Sequence, residues 1–243
     1  MNVTMTLGVG LLLAGLTARA DIIADWQFTE GNFLADSSPS GGHTLMKIGT
    51  VGDTGGVATF SAAGLLATTT NLDLTGYNKI RISWTWLVQN DNLGFLVDHG
   101  WNNAGGILLD ANEAGAGLGR AGIRPSDLGW VVDEYVHAHG AENTTWENFA
   151  VEFDLTAATA NEAVQVFKNG SPTGYPVSFG SIPSVFANSL LQIGGSTNNG
   201  TTYNGLGMVG QLDRLTIESI PEPGMIALLA TSGLFYCARR KRK

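Results

Sequence analysis

The sequence predicts an all-β fold, an antiparallel β-sandwich in one body of about 200 residues, long enough to bury a sizeable core. Three observations carry this expectation. Between Trp146 and Ile217 lie four short apolar runs with strand character. The second and third are closed by the turn signals Asn169-Gly170 and Gly194-Gly195. The chain of 243 residues holds 33 Gly and only 14% charged residues, which suits many tight turns and argues against long exposed helices.

In chain order, 22–28 reads as the first strand. Residues 43–48 and 57–60 read as the next two, split by a turn-rich loop over 49–56 with four glycines. A further short strand is expected over 65–69. The clearest strand of this half is 79–88. Ile80, Ile82, Trp84 and Trp86 share one face, and Lys79, Arg81, Ser83 and Thr85 share the other. Residues 93–97 and 107–109 extend the sheet. Residues 98–145 form a long, Gly-rich stretch with many Asn, read as loop. In 148–154, Phe149, Val151 and Phe153 alternate with smaller or polar residues. At most one helical turn is expected, over 157–163. The strand over 163–168 ends in Asn169-Gly170, whose residues both tolerate positive φ. The strand over 190–193 ends in Gly194-Gly195, and in 210–217 the alternation is interrupted near Asp213.

The order of these motifs is informative. Trp146 and the 148–154 strand are followed by Val166-Phe167-Lys168-Asn169-Gly170, then Leu190-Leu191-Gln192-Ile193-Gly194-Gly195, then Gly210-Gln211-Leu212-Asp213-Arg214-Leu215. The amino-terminal part adds Asp25-Trp26-Gln27-Phe28 and Asp36-Ser37-Ser38-Pro39. Residues 21–218 thereby resemble the laminin-G-like, concanavalin A-like jelly-roll domains of secreted bacterial proteins. They depart from that pattern over 98–143. The resemblance implies a jelly roll and a calcium ion tying an early loop to the last strand, held by Glu30, Asp36 and Asp213.

The two ends read as addresses. Residues 1–20 have the form of a signal peptide, with an apolar core over 7–16 and Ala18-Arg19-Ala20 as a small-x-small cleavage site, but no basic residue precedes the core. At the other end, Pro221-Glu222-Pro223 leads into an apolar run over 224–238 and a basic cluster, Arg239-Arg240-Lys241-Arg242-Lys243. The run is short for a transmembrane helix, and the cluster is expected to stay on the cytoplasmic side. The tripartite order resembles the PEP-CTERM sorting signal of Gram-negative bacteria. That resemblance implies processing by an exosortase, anchoring in the inner membrane beforehand, and delivery to the cell surface or extracellular matrix. The domain expectation is therefore a signal peptide at 1–20, a β-sandwich at 21–219 and a sorting segment at 220–243.

Charge and cysteine narrow the function. All 21 acidic residues except Glu222 lie between Asp21 and Ile220, against the bases Lys47, Lys79, Arg81, Arg120, Arg124, Lys168 and Arg214. So acidic a body repels phosphate backbones and argues against nucleic acid as a partner. Cys237 is the one cysteine, which excludes a disulfide or a cysteine nucleophile in the body.

Four constellations bear on chemistry. The calcium set is the first. Glu152 and Asp154 share a strand face, but the second Glu of a Glu-x-Asp-x-Glu hydrolase strand is missing, since Thr156 follows. His137 and His139 have strand spacing for a shared metal without a third ligand at diagnostic spacing. Trp101, Trp130 and Tyr135 are the candidates for stacking on sugar rings, whereas Trp26 and Trp84 suit the core. No catalytic set is present. The sequence therefore points to a non-catalytic protein that binds glycan, such as exopolysaccharide, or a surface protein. The alternatives are a glycan hydrolase or lyase with its site in the 98–145 stretch, and a structural coat protein.

Overall fold

Among the described residues the alternation of the apolar runs is realised as sixteen strands and one short 3-10 turn, Ala160–Glu162. The computed structural model describes residues 20–221, apart from 54, 89–93, 102, 113–117, 125–130, 137–144, 174, 179–180 and 198–206. Asp21–Ile220 is one compact unit. The two apolar end runs, with Glu222, Pro223, Arg239 and Arg240, lie outside the described residues, as do His137 and His139; Pro221 is the last residue described. Among the described residues no helix is long and apolar enough to cross a membrane.

The strands are β1 (Ile22–Trp26), β2 (Leu45–Asp53), β3 (Ala58–Thr68), β4 (Leu72–Asp73), β5 (Lys79–Val88), β6 (Gly94–His99), β7 (Ile107–Asn112) and β8 (Leu118–Ile123). They continue with β9 (Val131–Val136), β10 (Glu147–Asp154), β11 (Val164–Lys168), β12 (Ser171–Thr173), β13 (Tyr175–Ser178), β14 (Asn188–Ser189), β15 (Leu191–Ile193) and β16 (Val209–Ser219).

Fourteen strands form one sheet, ordered β12-β11-β10-β5-β16-β3-β15-β6-β7-β8-β9-β13, with β1 on β16 and β2 on β3. All the strand pairings are antiparallel. The sheet curls through β3. Its first residues pair with β16, its later ones with β15, and Ala62 between them takes φ 60°. For an L-residue this left-handed conformation costs about 1–2 kcal/mol. The chain accepts it where β3 passes from one half of the sheet to the other. Both halves then face one core. Ile80, Ile82, Trp84 and Val151 of the first half join Ile107, Leu109, Ala121 and Ile123 of the second in a single buried cluster. Trp26 and Trp86 are fully buried, as is Phe153.

Two expectations are corrected. Residues 49–53 are not loop but the second part of β2, which pairs with β3 around a register shift between Gly49 and Val51. Gly49 (φ 75°) and Gly64 face each other across that ladder, and a Cβ on Gly64 would lie 2.4 Å from the Thr50 nitrogen. The glycines mark a bulge inside a long hairpin rather than its end. The stretch 98–145 is likewise not mainly loop, since it contains β7, β8 and β9. β8 (LGRAGI) and β9 (VVDEYV) carry Gly, Arg, Asp and Glu, which mask a strand in local composition. The Asn169-Gly170 turn has φ 52° and 79°, as two adjacent positive-φ residues require, and the break near Asp213 is a register shift between Leu212 and Arg214.

Candidate functional site

The alternation that buries Ile80, Ile82, Trp84 and Trp86 turns Arg81, Ser83 and Thr85 outward. Pairing with β10 aligns Ser83 with Ala150, Thr85 with Asn148 and Arg81 with Glu152. Pairing with β16 aligns the same three with Thr216, Arg214 and Glu218. On β11, Phe167 stands opposite Ala150, and on β1, Asp25 stands opposite Thr216. The outer face of this half thus has one row running Phe167, Ala150, Ser83, Thr216, Asp25. Its centre is small and its ends are bulky, so the row forms a trough.

That trough has a volume of about 420 Å³ and is walled by Arg81, Phe167, Gly170 and Arg214 around a floor of Ser83, Thr85, Asn148, Ala150 and Thr216. Between Phe167 and Arg214 it crosses three strand spacings, about 14 Å. Its volume falls in the range of ordinary small-molecule sites. The Thr85 hydroxyl donates to Asn148 Oδ1 at 2.7 Å, fixing that amide. The Arg81 guanidinium lies 5.4 Å from the Phe167 ring centre.

Every cation on this face has an anion. Arg214 forms a two-point pair with Asp25, at 2.8 and 2.9 Å. Asp25 is only 3% exposed and also accepts from Gln27 Nε2 (2.9 Å) and Thr216 Oγ1 (3.0 Å). Burial works to raise its carboxyl, and the hydrogen bonds led by Arg214 overcome that and hold it below the ordinary aspartate value. Arg81 pairs with Glu152 and more loosely with Glu218 at 3.9 Å. Lys79 bridges Glu152 (3.2 Å) and Asp154 (3.3 Å). Asp154 also caps the following turn, accepting from the Thr156 nitrogen and hydroxyl. The two carboxylates that sequence spacing places side by side are therefore spent on ion pairs.

Glu30, Asp36 and Asp213 are not gathered into one group of His, Cys, Asp or Glu side chains. Asp36 accepts from the backbone nitrogens of Asp25 (3.0 Å), Ser38 (2.8 Å) and His43 (3.1 Å), and so shapes its own loop. Glu30 is exposed, and Asp213 is exposed at the β16 irregularity. Among the described residues no three His, Cys, Asp or Glu side chains gather as a metal-binding group. Trp101 is half-buried, packs against Phe95 at 5.9 Å and does not line the trough. Trp130 lies outside the described residues. Tyr135 is on β9, and its side chain too falls outside them.

The trough residues were not singled out from the sequence, although the signal was there. With Val164 and Val166 facing inward, the alternation of β11 leaves Phe167 on the solvent side. Asp25 was hidden by its neighbours, since in Ala24-Asp25-Trp26 it looks like an ordinary outward residue of an edge strand.

Neither a family model nor a curated protein sequence matches the chain. Solved structures do. The binding domain of botulinum neurotoxin DC, in complex with rat synaptotagmin II, aligns with a TM-score of 0.60 and 12% identity over 87% of this chain and 51% of that one. A botulinum neurotoxin type C structure, described with cell entry dependent on two ganglioside molecules, aligns with 0.59 and 11% identity over 87% and 51%. Domain 4 of AbnA, a GH43 extracellular arabinanase from Geobacillus stearothermophilus, was solved in complex with arabinotriose. It aligns with 0.54 and 19% identity over 87% of this chain and 98% of that domain. This chain shares their fold. It spans about half the length of the neurotoxin chains and nearly all of the arabinanase domain.

Proposed function

We propose that the body is a non-catalytic glycan-binding β-sandwich of the jelly-roll type. The observation that carries this reading is the trough on the outer face of β5, β10, β11 and β16. It combines an aromatic ring, small hydroxyl side chains and a fixed amide on a rigid sheet, which is the mix of apolar and oriented polar groups that sugars require. Two similar folds are described with ganglioside or arabinotriose, which supports a sugar ligand here. Glu152 and Asp154 lie in ion pairs rather than facing each other across a cleft, which favours binding over hydrolysis. Calcium has no step in this reading. In the same proposal the chain is exported, anchored in the inner membrane by its carboxyl end, sorted by an exosortase, and left at the cell surface or in the matrix.

The test is affinity electrophoresis or calorimetry of residues 21–220 with a panel of polysaccharides. Saturable binding lost when Phe167 is replaced by Ala supports the reading. No binding across the panel sinks it.

A further inference from the structure

The trough's electrostatics narrow its ligand, an inference that rests on the glycan reading above. Two guanidinium groups wall a polar groove, and taken by themselves they suggest a site for uronates or other anionic sugars. The geometry opposes that. Arg214 already gives Nε and Nη2 to Asp25. Arg81 is held by Glu152 with Glu218 behind it, and Lys79 lies between Glu152 and Asp154. Asp213, exposed beside Arg214, adds another negative charge. Lys79, Arg81 and Arg214 thus face Asp25, Glu152, Asp154, Asp213 and Glu218, and anions outnumber cations. An anionic ligand would have to displace formed pairs and would approach a body whose charge is of its own sign.

We propose that the trough selects neutral glycans, and that Asp25 and Glu152 set this selectivity by occupying Arg214 and Arg81. The groups left for the ligand are the Ser83 hydroxyl, the Asn148 amide, the outer edges of the paired guanidiniums and the Phe167 ring. They hydrogen-bond sugar hydroxyls and pack on sugar CH faces without needing a ligand charge. A paired guanidinium is also a better-fixed donor than a free one, because its rotamer freedom is already spent.

The experiment compares arabinan and a neutral β-glucan with polygalacturonate and alginate, on residues 21–220 at about 10 and 150 mM salt, conditions that separate screened from unscreened charge. Wild type is expected to bind a neutral polymer with affinity changing less than about twofold between the two salts, and the uronates at least tenfold more weakly. The Glu152→Gln, Glu218→Gln double variant removes both carboxylates from Arg81, and its Tm is recorded because Glu152 also pairs with Lys79. The variant should gain uronate binding that salt abolishes. Asp25→Asn should do the same through Arg214, with its Tm recorded alongside. A wild type that prefers uronates, or a double variant with an unchanged neutral-to-uronate ratio, overturns the selectivity inference and leaves the glycan reading standing. Absence of binding to all four polymers removes the glycan reading itself, and this inference with it.

Discussion

The two halves of the curled sheet treat their outer faces in opposite ways. Across the first half runs Phe167, Ala150, Ser83, Thr216, Asp25, a row open to solvent along its centre. Across the second runs Ala67, Gln192, Asp98, Leu108, where Asp98 is 1% exposed and Gln192 is 7% exposed. Ser196 and the Trp101 backbone reach over this second row and donate to Asp98. On the open face Lys79, Arg81 and Arg214 each have a carboxylate partner. On the covered face, among the described residues, Asp98 has hydrogen bonds but no cation, and Gln192 Oε1 has no partner. A sheet face left bare can be tuned by surface pairing. One roofed by chain keeps the polar residues that fasten the roof and bears their desolvation.

The largest expected effect lies beneath both faces. Trp86→Ala empties a fully buried site in the shared core and should cost about 3–5 kcal/mol. Denaturant unfolding should show both halves losing stability in one transition. Two separate transitions would break the single-core description.

Next comes the pair on the open face. Arg214→Ala leaves Asp25 buried without its cation and should cost about 1–2 kcal/mol, less than a fully buried pair because Arg214 is half-exposed. The folded Asp25 carboxyl titrates below its unfolded value of 3.8, so its contribution is complete above pH 4 and lost as pH falls through the folded value. The gap in Tm between wild type and variant should therefore shrink below about pH 4. A gap constant down to pH 2 contradicts the pairing.

The covered face gives the opposite sign. Burial raises the Asp98 carboxyl above 3.8, so its ionised form opposes folding, and the cost appears as pH rises through the folded value. Asp98→Asn keeps Oδ1 as the acceptor for the Trp101 nitrogen and puts an amide nitrogen where it can donate to the Ser196 oxygen and, with the Gln192 amide turned over, to Gln192 Oε1. It should stabilise by about 1 kcal/mol at pH 7, a Tm rise of about 2–4 °C that fades toward pH 4. A destabilised variant at pH 7 would mean the carboxylate has a partner.

The smallest effect concerns His99, fully buried on β6 and bonded through Nε2 to the Leu72 carbonyl at 2.9 Å. Burial lowers its pKa below 6.5, so the unfolded chain takes up the proton first. Stability is full above pH 6.5 and declines below it. His99→Gln should flatten the Tm profile between pH 7.5 and 5.

How far the sequence foretold this divides along the same line. The strands of the open half were legible because alternation is strict there. Residues 79–88 were delimited as observed, and the interruption at Asp213 proved to be a real irregularity. The second half was less legible. Gly119, Gly122, Asp133 and Glu134 interrupt the apolar pattern of β8 and β9, whose strand character comes from pairing with neighbours rather than from local preference. The trough was hidden for another reason. Its floor is made of small residues from three strands, β5, β10 and β16, and only registers set by pairing place Ala150, Ser83 and Thr216 in one line. Aromatic residues in a long stretch drew attention to Trp101, which the fold packs against Phe95.

The claim that the open face is the binding face has one direct test. Ala150→Trp fills the trough's floor at a half-exposed position, and Trp101→Ala alters only the other half of the sheet. With a neutral polysaccharide that wild type binds, calorimetry should show at least a tenfold loss, about 1.4 kcal/mol, for Ala150→Trp. Trp101→Ala should stay within twofold. Full binding by Ala150→Trp together with loss in Trp101→Ala would place the site on the opposite face and contradict the account.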